Sequence, residues 1–186
     1  MSEDVVAMVR ELYDRQSIHD KLIAYCRGVD RLDRELLLST YHNDGIDDHG
    51  LFVGTPEEFA DWVFAYHSTN QTATQHIITN HFCELDGDTA HTETYWMSAA
   101  MNVSGTPLTL RGGRYVDRFE RRDGKWAIAL RKCLIEWHGR PGELALPEAA
   151  RKAQNSGAAP RRDRTDPSYD RPLTADLSRM GLRALG

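Results

Sequence analysis

An aspartate and a histidine are the residues of this sequence best suited to acid–base chemistry. Asp30 ends the segment Cys26–Asp30, and His76 begins the segment His76–Asn80. If the fold brings the two side chains together, the carboxylate would fix one imidazole nitrogen as a donor and leave the other free to accept a proton from a substrate. The pair therefore indicates a small proton-abstracting enzyme. Each residue also has a structural interpretation, because Asp30 could cap a helix that begins at Arg31 and His76 could be a hydrogen-bonded core histidine.

His49 is a second histidine with acidic neighbours, in the segment Asp47–Gly50. Adjacent residues of a strand point to opposite faces, so Asp48 and His49 should not converge on one ion. We therefore expect no metal site, and we interpret His49 as a residue that lines a substrate pocket.

Composition limits the classes of protein to which the chain can belong. At 186 residues with 40% hydrophobic content, it can fill one core. A net charge of -5 and an isoelectric point near 5.9 argue against nucleic-acid binding. The sequence shows no signal peptide and no apolar run long enough to span a bilayer, so we expect a cytoplasmic protein that does not bind membranes. The three cysteines are widely spaced, and no disulfide is expected.

Three helices are predicted to come first. Apolar residues recur at helical spacing over the first thirty residues, and a second short helix is predicted over Arg31–Tyr41. The turn residues His42–Gly45 should end it. A third helix is predicted from Pro56 to about His67, because Thr55 and Glu58 form a capping-box pattern around its start.

The pattern then becomes extended, with four predicted strands at 74–85, 89–101, 108–121 and 125–137. Asp-Gly signals at residues 86–88 and 123–124 predict hairpins between them. The fold class is therefore α+β, with a curved antiparallel sheet wrapped around the three N-terminal helices. The mouth of such a cone is a natural ligand pocket.

The chain is predicted to comprise one domain, residues 1–140, and a C-terminal extension, residues 141–186. Glu148–Pro172 is almost free of large apolar residues, a composition that cannot bury enough surface to order itself. Leu173–Leu185 recovers a helix-like apolar spacing. We expect the extension to be disordered or to dock on a neighbouring subunit.

With these elements in order, the sequence resembles the SnoaL-like branch of the nuclear transport factor 2 superfamily. The resemblance depends on Tyr25–Asp30, His76–Asn80 and the two segments Gly112–Tyr115 and Glu120–Trp126, and it covers roughly residues 5 to 138. Within that superfamily the sequence resembles hexachlorocyclohexane dehydrochlorinase, bile-acid 7α-dehydratase and scytalone dehydratase, which are cofactor-free lyases, so the resemblance implies that no cofactor is needed. The resemblance implies a cone-shaped pocket with a His–Asp catalytic pair.

Four residues receive expected roles from this resemblance. Asp30 and His76 fall at the family's aspartate and histidine. Tyr25 stands where the bile-acid dehydratase has a tyrosine, and Arg131 matches an arginine on the last strand of the dehydrochlorinase. Both are expected to stabilise charge that develops on an enolate oxygen or a leaving group. The segment Tyr95–Ala100 lacks the second aspartate of the bile-acid dehydratase.

Other interpretations remain open for the supporting residues. Tyr25 could be a packing aromatic, and Arg131 could pair with Asp117 or Glu93 across the sheet. Four further residues are expected to give the pocket an apolar, aromatic wall: Trp62, Trp96, Met97 and Tyr115. Packing in the core explains the presence of these residue types equally well.

The main hypothesis is a cofactor-independent lyase that abstracts a proton from a cyclic hydrophobic substrate and expels water or halide. Isomerisation through the same enolate is a close variant. A ligand-binding protein without turnover and a small structural subunit of a ring-hydroxylating dioxygenase are the other classes. We expect a homo-oligomer, a trimer or a dimer, because the outer face of such a sheet is usually covered by another subunit.

Overall fold

The computed structural model describes residues 2–141, 161–166 and 169–170. Within these residues, helices come first and long hairpin-linked strands follow, which confirms the predicted α+β class. The helices are α1 (Glu3–Arg31), α2 (Arg34–Leu38) and α3 (Pro56–Asn70). The strands are β1 (Tyr41–Asp48), β2 (Val53–Gly54), β3 (Gln71–Asp86), β4 (Thr89–Asn102), β5 (Gly105–Arg122) and β6 (Lys125–Gly139).

The junction between α1 and α2 decides what Asp30 can do. Helix α1 runs through Asp30 and ends at Arg31, where Leu32 adopts a left-handed conformation with φ of 54°. The cap of α2 is Asp33, whose side chain accepts a hydrogen bond from the backbone N–H of Leu36 at 3.1 Å. The capping role considered for Asp30 is therefore wrong, and its carboxylate is available for another partner.

Helix α3 begins as the sequence predicts. The Thr55 hydroxyl accepts a hydrogen bond from the Glu58 backbone, and the Glu58 carboxylate accepts one from the Thr55 backbone, which completes the capping box. The helix continues one turn past the predicted end at His67. Its buried face repeats every four residues, through Phe59, Val63 and His67, so His67 lies on the side that faces the sheet.

The six strands form one curved, open sheet in the order β2-β1-β6-β5-β4-β3. Strands β3 to β6 are antiparallel neighbours, as predicted. Strand β1, however, runs parallel to β6, so the sheet is mixed. The predicted turn at His42–Gly45 is wrong, because this segment belongs to β1, where a register irregularity between Tyr41 and Ile46 absorbs it.

The concave face of the sheet packs on one side of α1. That side carries Ile18, Leu22, Tyr25 and Val29, each at most 2% exposed, at the spacing of a helical stripe. The last residue of the stripe comes directly before Asp30, so the packing of α1 fixes where the carboxylate stands.

The described residues of the predicted extension 141–186 contact helices of the same chain. Arg162 donates hydrogen bonds of 3.1 and 2.6 Å to backbone carbonyls at the junction of α3 and β3. Tyr169 donates one of 2.6 Å to the carboxylate that caps α2. The segment Glu148–Pro172 is described only in part, and the predicted helix at Leu173–Leu185 lies outside the described residues. Docking on another subunit stays a prediction. Among the described helices, none is long and apolar enough to cross a membrane.

The glycine pair of β5 gives the first test of this architecture. A Cβ atom at Gly113 would lie 1.8 Å from the carbonyl oxygen of Leu134, at the point where β6 bulges against β5. We expect Gly113→Ala to lose more than about 4 kcal/mol of unfolding free energy, because backbone must move. Gly139→Ala is the control, since no atom of the described residues, its two chain neighbours aside, lies within 4 Å of its Cβ position. Denaturant unfolding followed by circular dichroism measures both, and equal stabilities would contradict the described register.

Candidate active site

The structure brings Asp30 and His76 together. Nδ1 of His76 donates to Oδ1 of Asp30 at 2.6 Å, and the backbone N–H of His76 donates to Oδ2 at 2.9 Å. Strand β3 is the edge of the sheet, so alternate N–H groups along it have no partner strand. Asp30 supplies that missing acceptor and holds both the ring and the backbone of His76. The two side chains are 13% and 11% exposed.

The other ring nitrogen of His76, Nε2, makes no hydrogen bond to any described residue. The His76 ring lines a cavity of about 340 Å³, which we call the deep cavity. Asp30 does not line the deep cavity and approaches the ring from outside, beside a shallow surface depression. This arrangement fixes one tautomer and leaves Nε2 as the acceptor.

Most of the predicted pocket residues line the deep cavity. Tyr25, His49, Trp62, Trp96 and Tyr115 all contribute to its wall. The indole N–H of Trp96 is buried there without a hydrogen-bond partner among the described residues. The ring of Trp96 stacks on Tyr115, with centroids 5.4 Å apart.

Met97 does not line the deep cavity, so the prediction that it belongs to the pocket wall is wrong. It follows Trp96 on β4, so its side chain points to the opposite face of the sheet. The residue is 41% exposed on that outer face.

A second His–Asp pair stands in the wall of the deep cavity. Nδ1 of His49 donates to Oδ1 of Asp47, and the hydroxyl of Tyr41 donates to Oδ2 of the same carboxylate. Nε2 of His49 lies 3.4 Å from the hydroxyl of Tyr25. Asp47 and His49 are two residues apart, so the alternation that separates His49 from Asp48 places it on the same side as Asp47.

The charge of Asp47 controls the protonation of His49. Burial opposes a charged imidazole, but the Asp47 carboxylate and the hydrogen bond to it outweigh that effect and raise the pKa of His49 to about 10. His49 is therefore an imidazolium at neutral pH. Burial raises the pKa of Tyr25 well above its usual value, so the tyrosine is a neutral hydroxyl.

His67 is a site residue that the sequence analysis did not identify. Its ring meets His76 edge-on, with centroids 5.8 Å apart, and its Nδ1 donates to Oε1 of Gln71. Burial lowers the pKa of His67 to about 4, so this imidazole is neutral at physiological pH. The sequence feature that could have identified it is its four-residue spacing from Val63, which places His67 on the buried face of α3.

Arg131 lies behind the cavity wall instead of lining it. The side chain is fully buried and forms a two-point ion pair with Asp117, at 2.8 and 2.7 Å. Its guanidinium lies 4.1 Å from the ring centre of Tyr25 and 4.0 Å from that of Tyr115. Of the two acidic partners considered for it, Asp117 is the one it contacts, and Glu93 pairs with Arg114.

A row of four polar side chains, one from each of the strands β3 to β6, lies along the wall of the deep cavity. His76 pairs with Ser98 on β4, Ser98 with Arg111 on β5, and Arg111 with His138 on β6. All four residues line the deep cavity. Ser98, Arg111 and His138 were not predicted, because only cross-strand register shows that they are neighbours. The part of the chain that the structure describes contains no cluster of three or more side chains suited to hold a metal ion.

The chain belongs to the family of SnoaL-like domains, whose model matches residues 10–132. Among solved structures, it is similar to a hexachlorocyclohexane dehydrochlorinase, LinA type 2, with 22% identity and a TM-score of 0.69 over 75% of this chain and 97% of that one. The LinA type 3 dehydrochlorinase of Novosphingobium barchaimii gives 21% identity, a TM-score of 0.69 and the same coverage.

A protein of Novosphingobium aromaticivorans provisionally described as a scytalone dehydratase has 17% identity and a TM-score of 0.64 over 73% of this chain and 92% of that one. At these identities the likeness establishes a shared fold. A search of curated proteins finds no match to the sequence.

The ion pair behind the wall gives a stability prediction. Arg131→Met leaves Asp117 charged and buried without a partner, so we expect a loss of about 3–5 kcal/mol in unfolding free energy. The double variant Arg131→Met/Asp117→Leu should recover most of that loss. Arg118→Met is the control, because its pair with Glu120 is exposed and should contribute less than about 1 kcal/mol. A small effect of Arg131→Met in denaturant unfolding would contradict a structural role for the pair.

The second His–Asp pair gives a pH prediction. Because the pKa of His49 is raised from 6.5 to about 10 on folding, its contribution to stability is fully present below pH 6.5 and is lost as the pH rises towards 10. We expect the unfolding free energy of the native protein to fall between pH 6.5 and about 8.5. His49→Gln should remove that part of the slope. An identical pH dependence in both proteins would show that His49 titrates normally in the folded state.

Proposed function

We propose that this protein is a cofactor-independent lyase in which His76 abstracts a proton from carbon. The observation that carries the proposal is the two-point hold of Asp30 on His76, at 2.6 and 2.9 Å, with the His76 ring on the wall of the deep cavity. A neutral imidazole whose Nδ1–H is bound to a carboxylate has its Nε2 lone pair free for a substrate proton. Asp30 then stabilises the imidazolium formed as the proton is transferred.

Elimination also requires charge stabilisation at the leaving group. As the C–H proton moves to Nε2 of His76, its electron pair forms a carbon–carbon double bond and the bond to the leaving group breaks. We assign His49 and Tyr25 to this side of the reaction, because both line the cavity and His49 is held as a cation by Asp47. His49 can give its proton to a departing hydroxyl, which leaves as water, or can stabilise a departing halide by its charge.

Arg131 acts on this reaction from behind the wall. It does not reach the cavity, so its proposed part is to hold the rings of Tyr25 and Tyr115 by cation–π contact at 4.1 and 4.0 Å. Its positive charge also favours negative charge that develops on the cavity side of the Tyr25 hydroxyl.

The wall of the deep cavity favours a ring-containing hydrophobic substrate. Trp62, Trp96 and Tyr115 present aromatic faces, and the volume of about 340 Å³ is that of a small-molecule site. The similarity to dehydrochlorinase structures supports the same class of reaction. Isomerisation through the same enolate uses the same base and differs in where the proton returns, so product analysis separates the two.

The outer face of the sheet supports the expectation of a homo-oligomer. Large apolar side chains on that face are 37–47% exposed, which is typical of a surface that another subunit covers. They are Ile77, Tyr95, Met97, Val116 and Leu134. We propose a dimer or trimer formed through this face.

Turnover by variants of the pair tests the proposed function. Ring-containing β-hydroxy ketones and polychlorinated cyclohexanes are incubated with the protein in D₂O and followed by proton NMR for new vinylic signals and for deuterium in recovered substrate. With a substrate that is turned over, we expect His76→Ala to lower the rate by about 10² to 10⁴, because a positioned base contributes that much. Asp30→Asn should also lower it, since an amide cannot stabilise the imidazolium.

His91→Ala is the matched control, because His91 is exposed on β4 and lines no cavity described above. Its rate should equal that of the native protein. A His76→Ala variant that folds and keeps the native rate would rule out the proposed base. Deuterium incorporation together with an isomeric product, and without loss of water or halide, would indicate isomerisation through the enolate instead of elimination.

A further inference from the structure

The deep cavity continues into a second, more open one. This outer cleft has a volume of about 670 Å³ and is lined mainly by polar side chains at the ends of β4, β5 and β6. Three residues line both spaces, namely Tyr66, Arg111 and His138. Arg111 therefore stands where the two spaces meet.

Arg111 differs from the other arginines of the sheet. Six arginines lie on β5 and β6, and five of them have a carboxylate within 4.0 Å: Arg114, Arg118, Arg121, Arg122 and Arg131. Arg111 has no carboxylate partner among the described residues. Its guanidinium donates one hydrogen bond, of 2.6 Å, to the hydroxyl of Tyr66. Since a guanidinium has five N–H donors, most of its binding capacity is unused.

The described surroundings of Arg111 do not supply a negative charge either. Among the residues that the structure describes, no aspartate or glutamate lines the deep cavity or the outer cleft, although the chain as a whole has a net charge of -5. Arg140 lies further out in the same cleft. The passage between the two spaces is thus a positive region in an acidic protein, and such a region attracts an anionic ligand.

We propose that Arg111 binds a carboxylate of the substrate while the apolar ring of that substrate occupies the deep cavity. A single guanidinium balances the single charge of a carboxylate, and its planar donors match the two oxygens. The proposal rests on the proposed function, which makes the deep cavity the place of reaction.

Strand register sets the size of such a substrate. Arg111 stands two strands from His76, through Ser98, so the two backbones are roughly 10 Å apart at the usual strand spacing. Both side chains extend into the cavity from the same face. The substrate is therefore a cyclic hydrophobic acid whose carboxylate is separated from the reacting carbon by a ring or a short chain.

Displacement of a neutral fluorescent probe tests the proposal without turnover. N-phenyl-1-naphthylamine is bound to the full-length protein and displaced by 2-naphthoate or by 2-naphthamide, which have the same shape and differ in charge. We expect the naphthoate to displace the probe at a concentration about tenfold lower, because a charge-assisted hydrogen bond contributes at least that much. Arg111→Gln should abolish this preference, and Arg111→Lys should keep part of it.

Arg118→Gln is the matched control, because Arg118 is on the same strand, is paired with Glu120 and lines neither space. It should keep the full preference. Unchanged affinity for the neutral probe shows that each variant is folded. Equal displacement by both naphthalenes in the native protein, or a preference that survives in Arg111→Gln, would overturn the proposal. Because the measurement reports binding alone, loss of the proposed reaction in the His76 test would leave this result unaffected.

Discussion

The buried charges at the centre of the sheet are the constraint on which the site depends. Arg131 on β6 stands in register between Asp47 on β1 and Asp117 on β5. Asp47 also holds the charged His49, so two cations and two carboxylates are enclosed together without excess charge. An isolated buried charge costs several kcal/mol, so each of these four charged groups is stable in the core only because the oppositely charged groups lie beside it. This charged group supports the wall of the deep cavity, because His49 lines the cavity and Arg131 packs against the rings of Tyr25 and Tyr115.

The three imidazoles of the deep cavity illustrate how environment separates one residue type into three states. His49 is held as a cation by a buried carboxylate, and His67 is kept neutral by burial, which outweighs the opposite effect of its hydrogen bond to Gln71. His76 is fixed in one tautomer by a carboxylate that also binds its backbone. Such a set places a proton donor and a proton acceptor in one small space, which acid–base chemistry at a single pH requires.

Much of this arrangement could be predicted from local sequence. Helix α3 and the long hairpins follow from caps, turn residues and alternation, whereas the meeting of Asp30 with His76 is expected from the resemblance to the SnoaL-like family. The parallel pairing of β1 with β6 could not be predicted, because it joins segments far apart in sequence and has no hairpin signal. The same is true of Arg111, whose neighbours are set by strand register. Arg131 and Met97 show a related limit, since a residue type suited to a pocket does not say on which side of the wall it stands.

The position of β3 at the sheet edge gives Asp30 a second significance. An edge strand offers unpaired N–H groups that a strand of another molecule can use, and proteins commonly block such edges with charge. Asp30 occupies the backbone N–H of His76 and places a carboxylate at that point of the edge. The residue that orients the proposed base therefore also blocks this point of the sheet edge against the addition of a foreign strand. Selection for the proposed activity and selection against aggregation would then act on the same carboxylate.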